Sequence, residues 1–321
     1  MNSNPELVDA LLIGKRDVAE GVVELRFRDP SAQNYPEPGP GAHIDVRTPS
    51  GERRSYSLTR GPTGHDGDYV IAVALEPEGR GGSRSLHHST MAGMTMQISA
   101  AVDTFPFEPA PEYLLIAGGI GITPIRSMYY EIARAGRSSV RLVYLTRSRL
   151  SAPYLGELIS HSRDGAEVLV HTTDDHNRER FDLWTVLEHP GNQHVYCCAA
   201  PTVLEAVRRS TAHWRASRVH FEDFVGVPPI GDSAVPFTAV WEPTMTEVDV
   251  GANESLLDAL SARGIDVPMS CRTGTCGTCC VGVVSGVVDH RDVVLDDKDR
   301  QTMMTVCVSR SSNRIMIKPV E

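Results

Sequence analysis

The sequence predicts a multidomain chain: an antiparallel β-barrel, then an α/β domain on a parallel sheet, then a smaller β domain that carries a cysteine loop. Three observations predict it. From Ala10 to Ser99, short runs alternate apolar and polar residues between Pro and Gly clusters, as half-buried strands of a small closed sheet do. Glu112 to Ala117 reads as a strand covered on both faces, and it opens directly into Gly118-Gly119-Ile120-Gly121. Near the C-terminal end, Cys271, Cys276 and Cys279 stand at C-x4-C-x2-C spacing, with Cys307 alone downstream.

The bulk numbers agree with this division. A length of 321 residues accommodates two or three domains, and 41% apolar residues is an ordinary soluble composition. The formal net charge of -10 disfavours nucleic acid as a partner; a solvated acidic surface or docking to a partner's basic patch both account for it. Met1 to Lys15 has a short apolar run interrupted by Asp9, with no basic n-region and no small-residue cleavage site. No segment reaches the roughly eighteen apolar residues of a membrane span. Seven cysteines at cluster-like rather than disulfide-framework spacing point to a reducing cytoplasm.

Within the barrel two stretches stand out. Arg54-Ser55-Tyr56-Ser57-Leu58 gathers a guanidinium, an aromatic ring and hydroxyls at a strand end. Taken alone, such an end is ordinarily surface. After the strand Tyr69 to Ala74 comes Gly79-Arg80-Gly81-Gly82-Ser83-Arg84-Ser85-Leu86, whose glycines expose backbone N–H groups between two arginines, as a phosphate cradle does. Without the arginines a flexible loop is the simpler reading.

In the middle of the chain, Thr123 caps and Pro124 opens a helix whose apolar face is Ile125, Met128, Tyr129 and Ile132. Strand, glycine turn and helix start make a site for an anionic dinucleotide, although Pro124 stands where the third glycine of G-x-G-x-x-G belongs. Further strands at Val140 to Leu145, Glu167 to His171 and His194 to Cys198 complete a parallel sheet. Cys197 and Cys198 at the last strand's end read equally as small buried hydrophobes. Phe221 and Phe224 close the domain.

A Gly- and Pro-rich linker leads to a hairpin of Pro236 to Trp241 and Thr246 to Val250, then to a helix over Asn253 to Leu260 with Asn253 as its cap and Gly264 beyond its end. The cysteine loop follows. Three thiolates in one loop and a fourth far downstream form the plant-type [2Fe–2S] pattern, with Cys271, Cys276, Cys279 and Cys307 as ligands. Structural zinc prefers two separate short-spaced pairs. Gly274 and Gly277 supply the backbone freedom that a loop wrapped around an inorganic cluster needs. Cys280 reads as a non-ligand thiol, and His290 alone does not supply the two histidines of a Rieske centre.

Taken together, Arg54-Ser55-Tyr56-Ser57-Leu58, the G-R-G-G-S loop, the A-G-G-x-G-x-T-P string at Ala117 to Pro124, Asp289-His290-Arg291-Asp292 and Val306-Cys307-Val308-Ser309-Arg310 resemble the ferredoxin-reductase superfamily and, within it, the phthalate dioxygenase reductase family. The resemblance covers nearly the whole chain. It implies an FMN-binding barrel over 1–108, an NAD-binding domain over 109–225, a linker over 226–235 and a plant-type β-grasp ferredoxin domain over 236–321. It further implies that Arg54, Ser55, Tyr56, Ser57, Ala72, Val73, Ala74, Arg80, Gly81, Gly82 and Ser83 hold FMN. Gly118, Gly119, Gly121, Thr123 and Arg147 would hold NADH, with Cys198, Thr123 and Phe224 at the nicotinamide and flavin rings. Relatives carry C-G-P where this chain has Cys198-Ala199-Ala200-Pro201, which shifts Cys198 relative to Pro201. Arg147 and Arg149 leave NADPH open beside NADH, since a 2′-phosphate needs positive charge.

The activity so implied is that of an NADH-dependent reductase component: hydride passes to FMN, and single electrons pass through [2Fe–2S] to a terminal oxygenase. That partner is expected to be a Rieske non-haem iron enzyme acting on an aromatic or quaternary-ammonium compound. The alternatives are a cytochrome P450 partner, or a zinc-stabilised or redox-sensing interaction protein without turnover. A stand-alone flavin or ferric reductase would have no use for the cluster.

Overall fold

A computed structural model of the chain describes residues 5–31, 33–61, 66–79, 81–103, 105–163, 165–224, 234–269, 274 and 277–320. The expectations at Arg80, Cys271, Cys276 and linker positions 226–233 fall outside the described residues. Two compact units are present, Glu6–Asp223 and a second built on Phe224–Glu321.

The first unit begins with strands β1 (Leu7–Ala19), β2 (Val22–Arg28), β3 (His43–Arg47), β4 (Arg53–Ser57) and β5 (Tyr69–Ala74), then helix α1 (Gly82–His88) and β6 (Thr95–Ser99). The six strands form one sheet in the order β4-β3-β6-β1-β2-β5, with every pairing antiparallel. The sheet closes where β4 runs out: Leu58 bridges Ile71, and the Thr59 amide donates to the Val70 carbonyl at 2.8 Å. Alternation along the strands drives this closure. Val23, Leu25 and Phe27 of β2 share an interior with Leu12, Ile44, Val46, Ile71 and Ile98, while Glu24 and Arg26 face outward to ion pairs.

The same unit continues with β7 (Glu112–Gly118), a single 3₁₀ turn at Gly119–Gly121, α2 (Ile122–Ala135), β8 (Ser139–Thr146), α3 (Leu155–His161), β9 (Ala166–Thr172), α4 (Trp184–Leu187), β10 (His194–Cys198), α5 (Pro201–Ser210) and β11 (Val219–Glu222). These strands form an all-parallel sheet in the order β11-β10-β7-β8-β9. Chain direction across the sheet reverses between β7 and β10, and ligands of open α/β sheets bind at such a point, beyond the strands' carboxyl ends. Helix α2 buries Ile125, Met128, Tyr129 and Ile132, the face that periodicity assigns. Its start differs from expectation. The glycine turn runs straight into the helix at Ile122, so Thr123 lies inside the first turn and donates its hydroxyl to the Ile120 carbonyl at 3.0 Å rather than capping.

Barrel and parallel sheet share a hydrophobic core. Val22, Ala72 and Phe105 pack in one cluster with Tyr113, Met128 and Tyr196. Gly41 marks the closeness of the approach: at φ +92° a Cβ there would meet the Phe105 carbonyl oxygen at 2.6 Å and the Met128 methyl at 2.9 Å.

The second unit contains β12 (Phe237–Trp241), β13 (Thr246–Val250), α6 (Leu256–Ala262), β14 (Cys280–Ser285), β15 (Met303–Thr305) and β16 (Ile315–Lys318). Its mixed sheet has the order β13-β12-β16-β14-β15, with β12 and β16 parallel and the other pairs antiparallel. Helix α6 lays Leu256, Leu257, Ala259 and Leu260 into the core, and the Leu257 amide donates to the Val306 carbonyl at 2.9 Å. The expected cap at Asn253 is corrected to Ser255, whose hydroxyl accepts from the Asp258 amide and donates to the Asp258 carboxylate. A hydroxyl three residues before an acid at N3 satisfies an end amide that Asn253, two residues upstream, cannot reach. Ser255→Ala is therefore expected to destabilise this unit by about 1 kcal/mol, read as a lowered midpoint in urea unfolding followed by far-ultraviolet circular dichroism.

Candidate active site

The crevice at the reversal point is built by contacts that only glycine permits. A Cβ on Gly121 would lie 2.1 Å from the Cys198 carbonyl oxygen, and one on Gly118 would lie 2.6 Å from the Ala199 Cβ. The exits of β7 and β10 are thus in backbone contact, and the C-A-A-P segment fills the space that side chains at 118 and 121 would occupy. Gly119 differs: at φ +52° it needs glycine for its backbone angle, and nothing stands within 4 Å of its Cβ direction. It therefore faces open space at the mouth of the crevice.

Cys198 is 1% exposed and pairs in register with Ala117 of β7 and Glu222 of β11. Burial, with the Glu222 carboxylate beside it, holds its thiol well above the ordinary cysteine value. Cys197 faces the opposite core, and burial pushes its thiol up to about 12. Both sulfurs are neutral near pH 7, which suits a contact surface and excludes a thiolate nucleophile. Arg147 leaves the exit of β8 exposed, its carbonyl accepting the Asp174 amide at 2.9 Å; the neighbouring Arg149 pairs with Asp175 at 3.1 Å.

The barrel supplies the other wall. The end of β5 touches the Gly119–Gly121 turn. Ala72 packs in the core shared with the parallel sheet and Ala74 packs against it, while Val73 turns into the barrel and its carbonyl meets His87 Nε2 at 2.9 Å. Further along, Gly82 at the start of α1 has the Arg54 Cγ 3.4 Å from its Cβ direction, so the basic strand end and the glycine loop meet as expected. Gly81 takes φ +101°. The Ser83 hydroxyl accepts the Glu76 amide at 3.0 Å, and Arg54 pairs with Glu52. Tyr56 is half-buried, and burial raises its hydroxyl to about 12; Ser57 is buried. The Ser55 hydroxyl is held 2.5 Å from Asp45, a fully buried carboxylate that also binds Arg53. Phe224 opens the second unit and is 39% exposed.

At the cysteine loop, Cys279 and Cys307 are 4% and 2% exposed, and the Val306 amide donates to the Cys279 carbonyl at 3.2 Å, which joins the backbone next to Cys307 to that of Cys279. Gly274 takes φ +77°, and a Cβ there would strike the Val308 side chain at 2.6 Å; Gly277 takes φ +72°. Cys280 is the first residue of β14, half-buried, with burial raising its thiol to about 12. Behind the loop, buried Asp292 accepts from the Leu295 amide at 2.9 Å and the Ser309 hydroxyl at 3.3 Å, and Ser309 lies 3.1 Å from Thr305. Arg310 donates to the carbonyls of Val235, Gly251 and Glu254. Buried cysteines on a glycine-dependent backbone fit an iron–sulfur group.

Comparison with known proteins agrees with these parts. Residues 240–312 match the 2Fe-2S iron-sulfur cluster binding domain family. The chain is 36% identical over 308 residues to phthalate dioxygenase reductase of Burkholderia cepacia, covering 95% of each. It is 32% identical to the phthalate 4,5-dioxygenase oxygenase reductase subunit of Pseudomonas putida over 99% of each. This chain belongs to the phthalate dioxygenase reductase family. A solved phthalate dioxygenase reductase, described as a modular structure for electron transfer from pyridine nucleotides to [2Fe–2S], superposes with a TM-score of 0.79 at 35% identity, covering 97% of this chain and 98% of that one. An intact type IV self-sufficient cytochrome P450 monooxygenase matches 97% of this chain at a TM-score of 0.77 and 32% identity, but the match spans 41% of that longer chain.

Sequence reading of this family member missed the role of Gly121 as a packing residue against Cys198, because the two are far apart in the chain. It also missed Asp292, Ser309 and Arg310 as supports of the cysteine loop, although their strings carried part of the resemblance. Gly121→Ala is expected to abolish NADH binding and to lower the thermal unfolding midpoint, since the β10 exit must move. Gly119→Ala should cost only the strain of positive φ, roughly 1–2 kcal/mol. NADH titration and thermal scans of both variants check the contrast.

Proposed function

We propose that this family member is the NADH-oxidising reductase of a two-component oxygenase whose terminal component is a Rieske non-haem iron enzyme acting on an aromatic ring or an O- or N-methyl group. One observation carries the reading: the β5 end, the Gly119–Gly121 turn and Cys198 meet at a single crevice, in a chain that also holds a [2Fe–2S] cysteine loop. Supporting relatives include a toluene-4-sulfonate monooxygenase system reductase subunit of Comamonas testosteroni and the vanillate O-demethylase oxidoreductase of a Pseudomonas strain, the latter 33% identical over 97% of this chain.

A flavin accepts electrons in pairs and releases them singly, which is the conversion needed between a nicotinamide and a one-electron iron–sulfur cluster. The chain's own residues do the rest. Arg54, Gly81, Gly82 and Ser83 would hold the phosphate of FMN, with Arg80 added from the loop. Ser55, Tyr56, Ser57, Ala72 and Ala74 would line the flavin site, and Val73 would contribute backbone alone. Gly118, Gly119, Gly121 and Thr123 would hold NADH with its nicotinamide against the neutral Cys198 thiol, and Phe224 would cover the flavin. Asp174 and Asp175 beside Arg147 and Arg149 offer acceptors for ribose hydroxyls and repel a 2′-phosphate, which favours NADH over NADPH. Cys279 and Cys307, with Cys271 and Cys276, would hold the cluster.

Among the described residues no helix is long and apolar enough to cross a membrane. Thiol-rich composition without a disulfide framework favours a reducing cytoplasm. A P450 as terminal partner is a second reading, favoured by the likeness to the self-sufficient P450 chain.

Cys307→Ser separates the two halves of the chain. Anaerobic NADH should still bleach the flavin of this variant, while the electron paramagnetic resonance signal of the reduced cluster disappears. Undiminished cluster reduction would overturn the assignment. Reconstitution with purified Rieske oxygenases and with P450s, scored by substrate-dependent NADH consumption, decides between the partners.

A further inference from the structure

The barrel and the nucleotide sheet must keep one fixed offset if two bound ring systems are to meet, and one hydroxyl sits where that offset is set. Ser127 lies on α2 one turn beyond Thr123 and is 3% exposed. Its hydroxyl donates to the Leu58 carbonyl at 2.7 Å and accepts the Arg60 amide at 2.8 Å. Leu58 directly follows the Arg54–Ser57 strand, so a single side chain of the nucleotide helix is bonded on both sides to the backbone that continues the flavin strand. One further turn along α2, Glu131 takes the Arg60 guanidinium at 2.6 Å, and Arg60 also holds Glu37 at 2.6 Å. The face of α2 through 127 and 131 thus bears on residues 58–60. At the edge of the shared apolar core a cavity of about 290 Å³ opens beside the contact, lined in part by Thr59, Arg60, Gly61, Arg126, Ser127 and Glu157. Where side chains do not interlock, hydrogen bonds set the register.

We propose that Ser127 is a positioning residue, pinning the end of the flavin strand to the nucleotide helix and so fixing the distance over which hydride passes from NADH to flavin. This rests on the reading of function above. The transfer breaks the C4–H bond of NADH and delivers both its electrons and the hydrogen to oxidised flavin, leaving NAD⁺ and two-electron-reduced flavin. Such transfer is steep in distance, and a misplacement of about 1 Å costs on the order of a hundredfold in rate.

The test compares flavin-loaded wild type with Ser127→Ala and with Glu131→Ala, which loosens the same contact from a more exposed position. Stopped-flow bleaching at saturating NADH should slow about tenfold or more for Ser127→Ala and by less for Glu131→Ala, while the NADH dissociation constant and the flavin absorption spectrum stay at wild-type values. Hydrogen exchange supplies a readout independent of turnover, since the Arg60 amide loses its acceptor in Ser127→Ala and should exchange faster with or without flavin. Wild-type protein that binds flavin but is not reduced by NADH would overturn the functional reading and this inference together. Wild-type protein that is reduced, beside Ser127→Ala reduced equally fast, would overturn this inference alone. Should Ser127→Ala not fold, an unchanged bleaching rate in Glu131→Ala overturns it.

Discussion

The structure depends on backbone being allowed to touch backbone where β7 and β10 end. With Gly121 against the Cys198 carbonyl and Gly118 against Ala199, the two strand exits converge as closely as main chain permits. A methyl group at either position would wedge them apart and displace the start of α2. From that contact follow the open mouth at Gly119, the burial of the Cys198 thiol and the aim of the first turn of α2. It lies where the strand order reverses, so the crevice is a consequence of topology that the glycines keep from closing.

The barrel meets this crevice through its own constraint. Closure of the six-stranded sheet at Leu58 and Ile71 brings β4 and β5 together, and with them the basic strand end and the alanine-lined edge. Small residues at 72 and 74 let β5 lie against the nucleotide core without filling the space beside the glycine turn. The interface is thus two-natured. An apolar core through Val22, Ala72 and Phe105 holds the domains together, and polar contacts from residues 58–60 to α2 set how they are registered.

At the cysteine end the chain solves a different problem, bonding the backbone before Cys307 to that of Cys279 across a long excursion of chain. Asp289 bridges Arg310, Asp292 is bonded to Ser309, and Arg310 gathers three carbonyls from before and after β13. These bonds clamp the residues on both sides of Cys307 to the body of the domain. A fully buried Asp292 is stable there because backbone N–H and hydroxyl donors satisfy it, with the Arg300 guanidinium 3.8 Å away.

Much of this was legible in the residues. Alternation marked the barrel strands, the apolar run into glycines marked β7 and its turn, and the spacing of the cysteines marked the third module, because each is a local pattern whose chemistry needs no distant partner. Element ends were less legible. Ser255 rather than Asn253 caps α6 because the reach to the Asp258 amide decides, and Thr123 does not cap α2 because the preceding glycines already turn helically. The bond from Ser55 to buried Asp45, a partner ten residues away on the neighbouring strand, was likewise not legible.

The sequence by itself determined the order of three folds, the iron–sulfur spacing of the cysteines and the presence of a nucleotide turn, since spacing, period and residue type suffice for those. Only the tertiary structure decided why Gly118 and Gly121 are glycine, which side of β5 faces the crevice, and that Ser127 ties two domains together. Each of those depends on atoms brought into contact from parts of the chain far apart in sequence, as Ser127 and Leu58 are, and no local pattern carries that information.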